Sequence, residues 1–108
     1  MSDDRLHPET IAISSGRPAQ EAGTGLNTSI SLNSTFNAGG PINYGRTGNE
    51  TWQQLEAAIS ALEEAESTLV FSSGMAAISA VFSLLPQGAP VVASHEGYSG
   101  TMALLKKY

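Results

Sequence analysis

The chain has 108 residues, 41% of them apolar and 14% charged, with a net charge of −5 and no cysteine. This is the composition of a globular chain with one modest core, not of a disordered one. An acidic balance without a basic cluster argues against nucleic acid or an anionic membrane surface as partner, and the lack of cysteine excludes a disulfide frame and a thiolate metal site.

The opening Met1-Ser2-Asp3-Asp4-Arg5 is polar and has no apolar core of a signal peptide. No apolar run approaches membrane-spanning length, so the expected location is the cytoplasm. Residues 1–50 are rich in Gly, Ser, Thr, Asn and Pro and show little periodicity. A stretch this long without structure is uncommon inside a self-contained domain. Its low charge argues for an arm that packs on a partner subunit, or on further chain, over plain disorder. Ile30 to Phe36 reads as one short extended piece within that arm.

The first helix is expected near Thr51. Thr51 and Gln54 have capping-box spacing, and Asn49 is an alternative cap. Trp52, Leu55, Ile59 and Leu62 recur at helical spacing, with Gln53, Glu56, Ser60, Glu63 and Glu64 on the other side. The apolar face reads as core or subunit contact.

Leu69, Val70 and Phe71 predict a short strand, broken by Ser72, Ser73 and Gly74. A helix is expected from Met75 to Leu85, ended by Pro86 to Pro90. Val91 to Ala93 reads as a second strand, and two strands joined by a helical crossover imply a parallel βαβ unit. A last helix begins near Ser99, and Lys106 and Lys107 suit its negative end. The pattern is unfinished at Tyr108. Two parallel strands make an incomplete sheet, so the chain is expected to be the front part of a larger α/β protein.

Ligands in open α/β sheets sit outside the carboxyl ends of the strands. Two loops are expected at that edge. Ser72-Ser73-Gly74-Met75 offers hydroxyls and first-turn N–H groups suited to a phosphate; the same pattern also describes an ordinary turn with a serine cap. Ser94 to Tyr98 offers the Tyr98 ring, either to stack on a flat ligand or as a half-buried residue at a helix start. Tyr44 and Arg46 are two apart in a glycine-flanked loop. In an extended segment both would point the same way and form a phosphate clamp, with a surface arginine in a turn as the plainer alternative. His95 and Glu96 are adjacent without a third partner and His7 is distant, so none is expected to bind metal.

Taken together, these residues resemble the N-terminal portion of the pyridoxal-phosphate enzymes of cysteine and methionine metabolism, the family of cystathionine gamma-synthase, cystathionine gamma-lyase and methionine gamma-lyase. The resemblance runs from Ser34-Thr35-Phe36 through Tyr44 to Thr51, then Phe71 to Ile78, to Tyr98-Ser99-Gly100-Thr101. It implies an α/β fold, the start of a fold-type-I transferase: an extended arm over 1–50, then a helix and the βαβα beginning of the large cofactor-binding domain over 51–108. It implies pyridoxal 5'-phosphate as cofactor and an amino acid as substrate. Ser73 and the N–H groups of Gly74 and Met75 would hold the cofactor phosphate. Tyr98 would lie over the pyridine ring, with a role in proton transfer as a second implication. Tyr44 and Arg46 would reach the phosphate of a neighbouring subunit's cofactor, which accounts for the arm as an inter-subunit clasp in a homodimer or homotetramer.

Two departures stand out. Asn49-Glu50-Thr51 replaces the family's usual Asn-Pro-Thr, which is expected to loosen the start of the helix, and Asn27-Thr28-Ser29-Ile30 lacks the prolines common before Ser-Thr-Phe. The family's Schiff-base lysine and the aspartate facing the pyridine nitrogen would lie beyond residue 108; Lys106 and Lys107 do not sit in the lysine motif. The resemblance therefore implies a fragment of a sulfur amino-acid enzyme, inactive alone, with a non-catalytic truncated, interaction or anion-binding product as the alternative.

Overall fold

A computed structural model describes residues 6–107. Its helices are α1 (Pro8–Ser14), α2 (Glu50–Leu62), α3 (Gly74–Ser83) and α4 (Ser99–Leu105). The chain divides between Val70 and Phe71 into two compact units, the first holding α1 and α2 and the second α3 and α4.

Helix α1 lies inside the stretch expected to be an extended arm. Pro8 stands at its start, where the fixed φ suits a helix and the missing N–H has no intrahelical partner to lose. Glu9 in the first turn is favoured by the helix dipole. Past its end, Gly16 has φ +71°, and a Cβ there would collide with the Gln54 carbonyl of α2. A bare, left-handed glycine thus lets the chain after α1 approach α2.

Asn49 caps α2: its side chain accepts the Thr51 N–H at 2.8 Å. Thr51 is the second helical residue, not the cap, so the expected capping box does not form. Glu50 takes the first helical position, where an acidic side chain is favourable, and the helix begins there without a proline. At the far end Ala65 N–H donates to the Ser60 carbonyl at 2.9 Å over Glu64 at φ +50°, a Schellman closure with glutamate where glycine is usual. The polar side of α2 also makes contacts. The Glu56 carboxylate accepts the Val70 N–H at 3.0 Å, and the Ser60 hydroxyl donates to Thr68 Oγ1 at 2.7 Å.

Those contacts bear on the largest departure from expectation. Neither Leu69 to Phe71 nor Val91 to Ala93 is a strand; among the described residues the sole β pairing is an isolated antiparallel bridge, Thr35 to Tyr44. The expected βαβ pairing is therefore absent from the described residues. The Val70 N–H that a ladder would use goes to Glu56, and Val92 is fully exposed. A parallel pair needs flanking strands and cover on both faces to be stable.

The expected core is also missing. No apolar side chain among the described residues is buried; Leu32 is 92% exposed and Leu69 75%. The buried positions are Gly45, Gly48 and Asn49, all in the Tyr44 loop and the start of α2. Helix α2 keeps Leu55 and Leu62 exposed, so its apolar face is only partly covered. An open groove of about 650 Å³ beside α1, lined by Leu6, Pro8, Ile11, Ala61 and Leu62 among others, shows how loosely this unit closes. No helix among the described residues is long and apolar enough to cross a membrane.

Candidate functional site

In the second unit, Ser73 leaves the extended backbone and starts α3. Its φ is −156°, and its hydroxyl oxygen accepts the Ala76 N–H at 3.2 Å. The Ser73 carbonyl accepts the Ala77 N–H at 3.2 Å. Among the described residues no partner is found for the N–H groups of Gly74 and Met75, the first two of the helix. This follows from helix geometry: first-turn donors have no carbonyl behind them. They lie at the positive end of a ten-residue helix, where an anion is favoured. Gly74 is exposed, and a Cβ there would meet nothing within 4 Å. Protein packing therefore does not require the glycine; it leaves clear space over the amides. The Ser73 hydroxyl keeps its own proton to donate. Two amides, one hydroxyl and an absent side chain fit a phosphate group. Capping and anion binding do not exclude one another here, because the cap occupies the third amide and leaves the first two open.

Met75 and Tyr98 converge at the start of α4. Tyr98 is the residue before that helix, and its carbonyl accepts from Thr101 and Met102 at 3.0 and 3.2 Å. A Cβ on Gly100 would come within 2.6 Å of the Tyr98 ring and 2.7 Å of the Met75 sulfur. The glycine thus makes room for both side chains, and Tyr98 stays 65% exposed. The preceding loop turns through Gly97 N–H to the Ser94 carbonyl at 3.1 Å, with Ser94 Oγ accepting from Glu96 N–H at 3.3 Å. His95 and Glu96 are exposed, and no group of three or more His, Cys, Asp or Glu residues among the described ones is placed to hold a metal.

In the first unit, Tyr44 and Arg46 also come together, though not as expected. The segment is a turn, closed by Thr47 N–H to the Tyr44 carbonyl at 2.9 Å and by the Thr47 hydroxyl to the same oxygen at 2.8 Å. The guanidinium lies over the Tyr44 ring, 5.1 Å from its centroid, a cation–π arrangement. The turn is held to the preceding chain by Phe36 N–H to the Asn43 carbonyl at 3.2 Å and Gly45 N–H to the Ser34 carbonyl at 2.6 Å. Gly45 eases that approach: a Cβ would lie 3.0 Å from Ser34 Cα, closer than ordinary van der Waals contact. Both side chains remain exposed, and Arg46 makes no hydrogen bond or ion pair among the described residues.

Sequence reasoning missed two participants. Asn49 and Thr51, cap candidates that also lie in the stretch resembling the family, bind Ser31, 18 and 20 residues earlier. No local pattern signals contacts that distant.

The family described as Cys/Met metabolism PLP-dependent enzyme matches residues 9–108. The chain belongs to that family. Pyridoxal phosphate is the family's cofactor, and cysteine and methionine metabolism its field. The chain is 38% identical to the cystathionine gamma-synthase of Mycobacterium tuberculosis over 120 aligned positions, covering 99% of this chain and 31% of that protein. It is 37% identical to the cystathionine gamma-lyase of Bos taurus, covering 88% of this chain and 25% of that one. Among solved structures it resembles a cystathione gamma lyase from Micromonospora echinospora, with a TM-score of 0.85 at 29% identity over 95% of this chain and 28% of that one. The chain therefore spans about a third or less of the relatives it matches, and it carries the fold of the corresponding part of a PLP-dependent lyase.

Proposed function

We propose that this chain supplies the phosphate-binding part of a PLP-dependent enzyme of sulfur amino-acid metabolism, acting by γ-elimination or γ-replacement on a cystathionine- or homoserine-type substrate. The observation that carries the reading is the pair of unpartnered N–H groups on Gly74 and Met75 under open space. These amides and the Ser73 hydroxyl hold the phosphate dianion. The Tyr98 ring covers the flat face of the cofactor, and its phenol oxygen moves a proton. Tyr44 and Arg46 serve the phosphate bound by a neighbouring subunit, residues 1–50 clasp that subunit in a homodimer or homotetramer, and residues 51–108 begin the large domain. When bound, pyridoxal phosphate supplies the electron sink for the pair released from the substrate's Cα–H bond. The 108 residues by themselves contain no lysine in the family's attachment motif, so taken alone they bind without turning over.

The test is a spectroscopic titration of the protein with pyridoxal phosphate, with inorganic phosphate as competitor. Phosphate competes, and Arg46→Ala weakens binding about tenfold, the loss expected for a charge-assisted hydrogen bond. Unchanged affinity in that variant removes Arg46 from the site. Borohydride trapping of stoichiometric cofactor on Lys106 or Lys107, with retained turnover, overturns the assignment of attachment elsewhere.

A further inference from the structure

Asn49 is the most buried polar side chain among the described residues, 3% exposed, in a unit that buries no apolar side chain. Such a residue must satisfy its polar atoms internally. Its carbonyl oxygen accepts the Thr51 N–H at 2.8 Å, and its amide nitrogen donates to the Ser31 carbonyl at 3.3 Å. Ser31 N–H donates to the Thr51 hydroxyl at 2.8 Å. Both main-chain groups of Ser31 are thus tied to the first turn of α2, by side chains instead of a neighbouring strand. Three residues later the Ser34 to Phe36 segment pairs with Asn43 to Gly45. These two ties close a ring of chain through Ser31, Thr35, Tyr44 and Asn49. Arg46 sits on its short side, between the bridge at Tyr44 and the tie at Asn49. Gly48 fills that side tightly: a Cβ would lie 3.3 Å from Ile42 Cγ1 and from the Gln53 side-chain nitrogen.

A long cation with no hydrogen-bond partner is aimed only by its backbone and by what it stacks on. We propose that Asn49 and Thr51 are positioning residues that fix the Tyr44–Arg46 clamp by strapping Ser31 to the start of α2. The inference rests on the reading that Arg46 contacts the cofactor phosphate. With the strap released, the loop keeps its bridge at Thr35 but loses its second anchor, and Arg46 samples directions that do not reach an anion.

The substitutions separate the strap from the helix cap. Asn49→Asp keeps the oxygen that caps α2 and loses the donor to Ser31. Thr51→Val keeps the shape and loses the acceptor, and Thr51→Ser restores it. Each is made with and without Arg46→Ala, reading pyridoxal phosphate affinity by titration and Ser31 amide exchange. Asn49→Asp and Thr51→Val are each expected to weaken the cofactor about fivefold and to speed exchange at Ser31, with Thr51→Ser near the parent. In the Arg46→Ala background neither causes further loss of affinity, because the strap acts through the arginine. If Arg46→Ala weakens binding and the strap variants do not, the positioning role is wrong while the site reading stands. Equal losses in both backgrounds also overturn it, since they mark a general structural effect. If Arg46→Ala has no effect, Arg46 leaves the site and the inference falls with it.

Discussion

Gly74→Ala separates a glycine kept for folding from one kept for a ligand. Gly74 is the first residue of α3, its φ is not in the left-handed region, and a Cβ would meet no atom within 4 Å. Alanine therefore adds no clash and removes backbone freedom from the unfolded chain, a gain of about 0.5 kcal/mol. The same methyl group would stand beside the open Gly74 and Met75 amides. A phosphate held there must withdraw, and losing one good amide contact to a dianion costs about 1.5 kcal/mol, roughly tenfold in affinity. Stability and binding should move in opposite directions. Thermal melting followed by circular dichroism reads the first, and pyridoxal phosphate titration the second. If affinity is unchanged, the amides do not hold the cofactor; if stability falls together with affinity, the glycine serves the fold.

Four further substitutions probe the supports. Gly45→Ala pushes a Cβ to 3.0 Å from Ser34 Cα and 3.1 Å from the Asn33 carbonyl, backbone atoms that yield only at about 1–3 kcal/mol. Amide exchange at Phe36 should then rise about tenfold or more, and an unchanged rate would show the bridge to be unimportant. Glu56→Ala removes the acceptor of the Val70 N–H and should cost about 1 kcal/mol, reduced by solvent access, with faster exchange at Val70 as the readout. Gly16→Ala and Gly23→Ala both place alanine at positive φ, +71° and +88°, but only Gly16 faces the α2 backbone. Both should lose about 1 kcal/mol, with a larger loss at Gly16; equal losses would mean that the chain after α1 does not approach α2 closely in solution.

The helices were legible where local chemistry decides them. Asn49 and Ser73 cap as their types suggest, and α2, α3 and α4 begin within a residue or two of where periodicity placed them. Helix α1 carries too few apolar positions in its seven residues to show a period, although Pro8 and Glu9 mark its start. The strands fail for a different reason. Leu69 to Phe71 and Val91 to Ala93 have strand composition, but a strand exists only with a partner, and the Val70 N–H has found Glu56 instead. The expected core fails likewise: apolar residues at helical spacing announce a face, not what covers it. At the site, the residue types were readable and the geometry partly so. Ser73, Gly74 and Met75 start a helix as expected, whereas the Tyr44–Arg46 pair meets through a turn and a stacked guanidinium, not through an extended segment. The strap from Ser31 to α2 was invisible because it joins residues far apart in the chain.

The central claim is that the first amides of α3 receive the phosphate of pyridoxal phosphate. A crystal structure of the protein with this cofactor bound tests it directly. The account predicts phosphate oxygens about 3 Å from the Gly74 and Met75 nitrogens, with the Tyr98 ring stacked on the pyridine. A cofactor seated elsewhere, with those two amides facing only water, would contradict it.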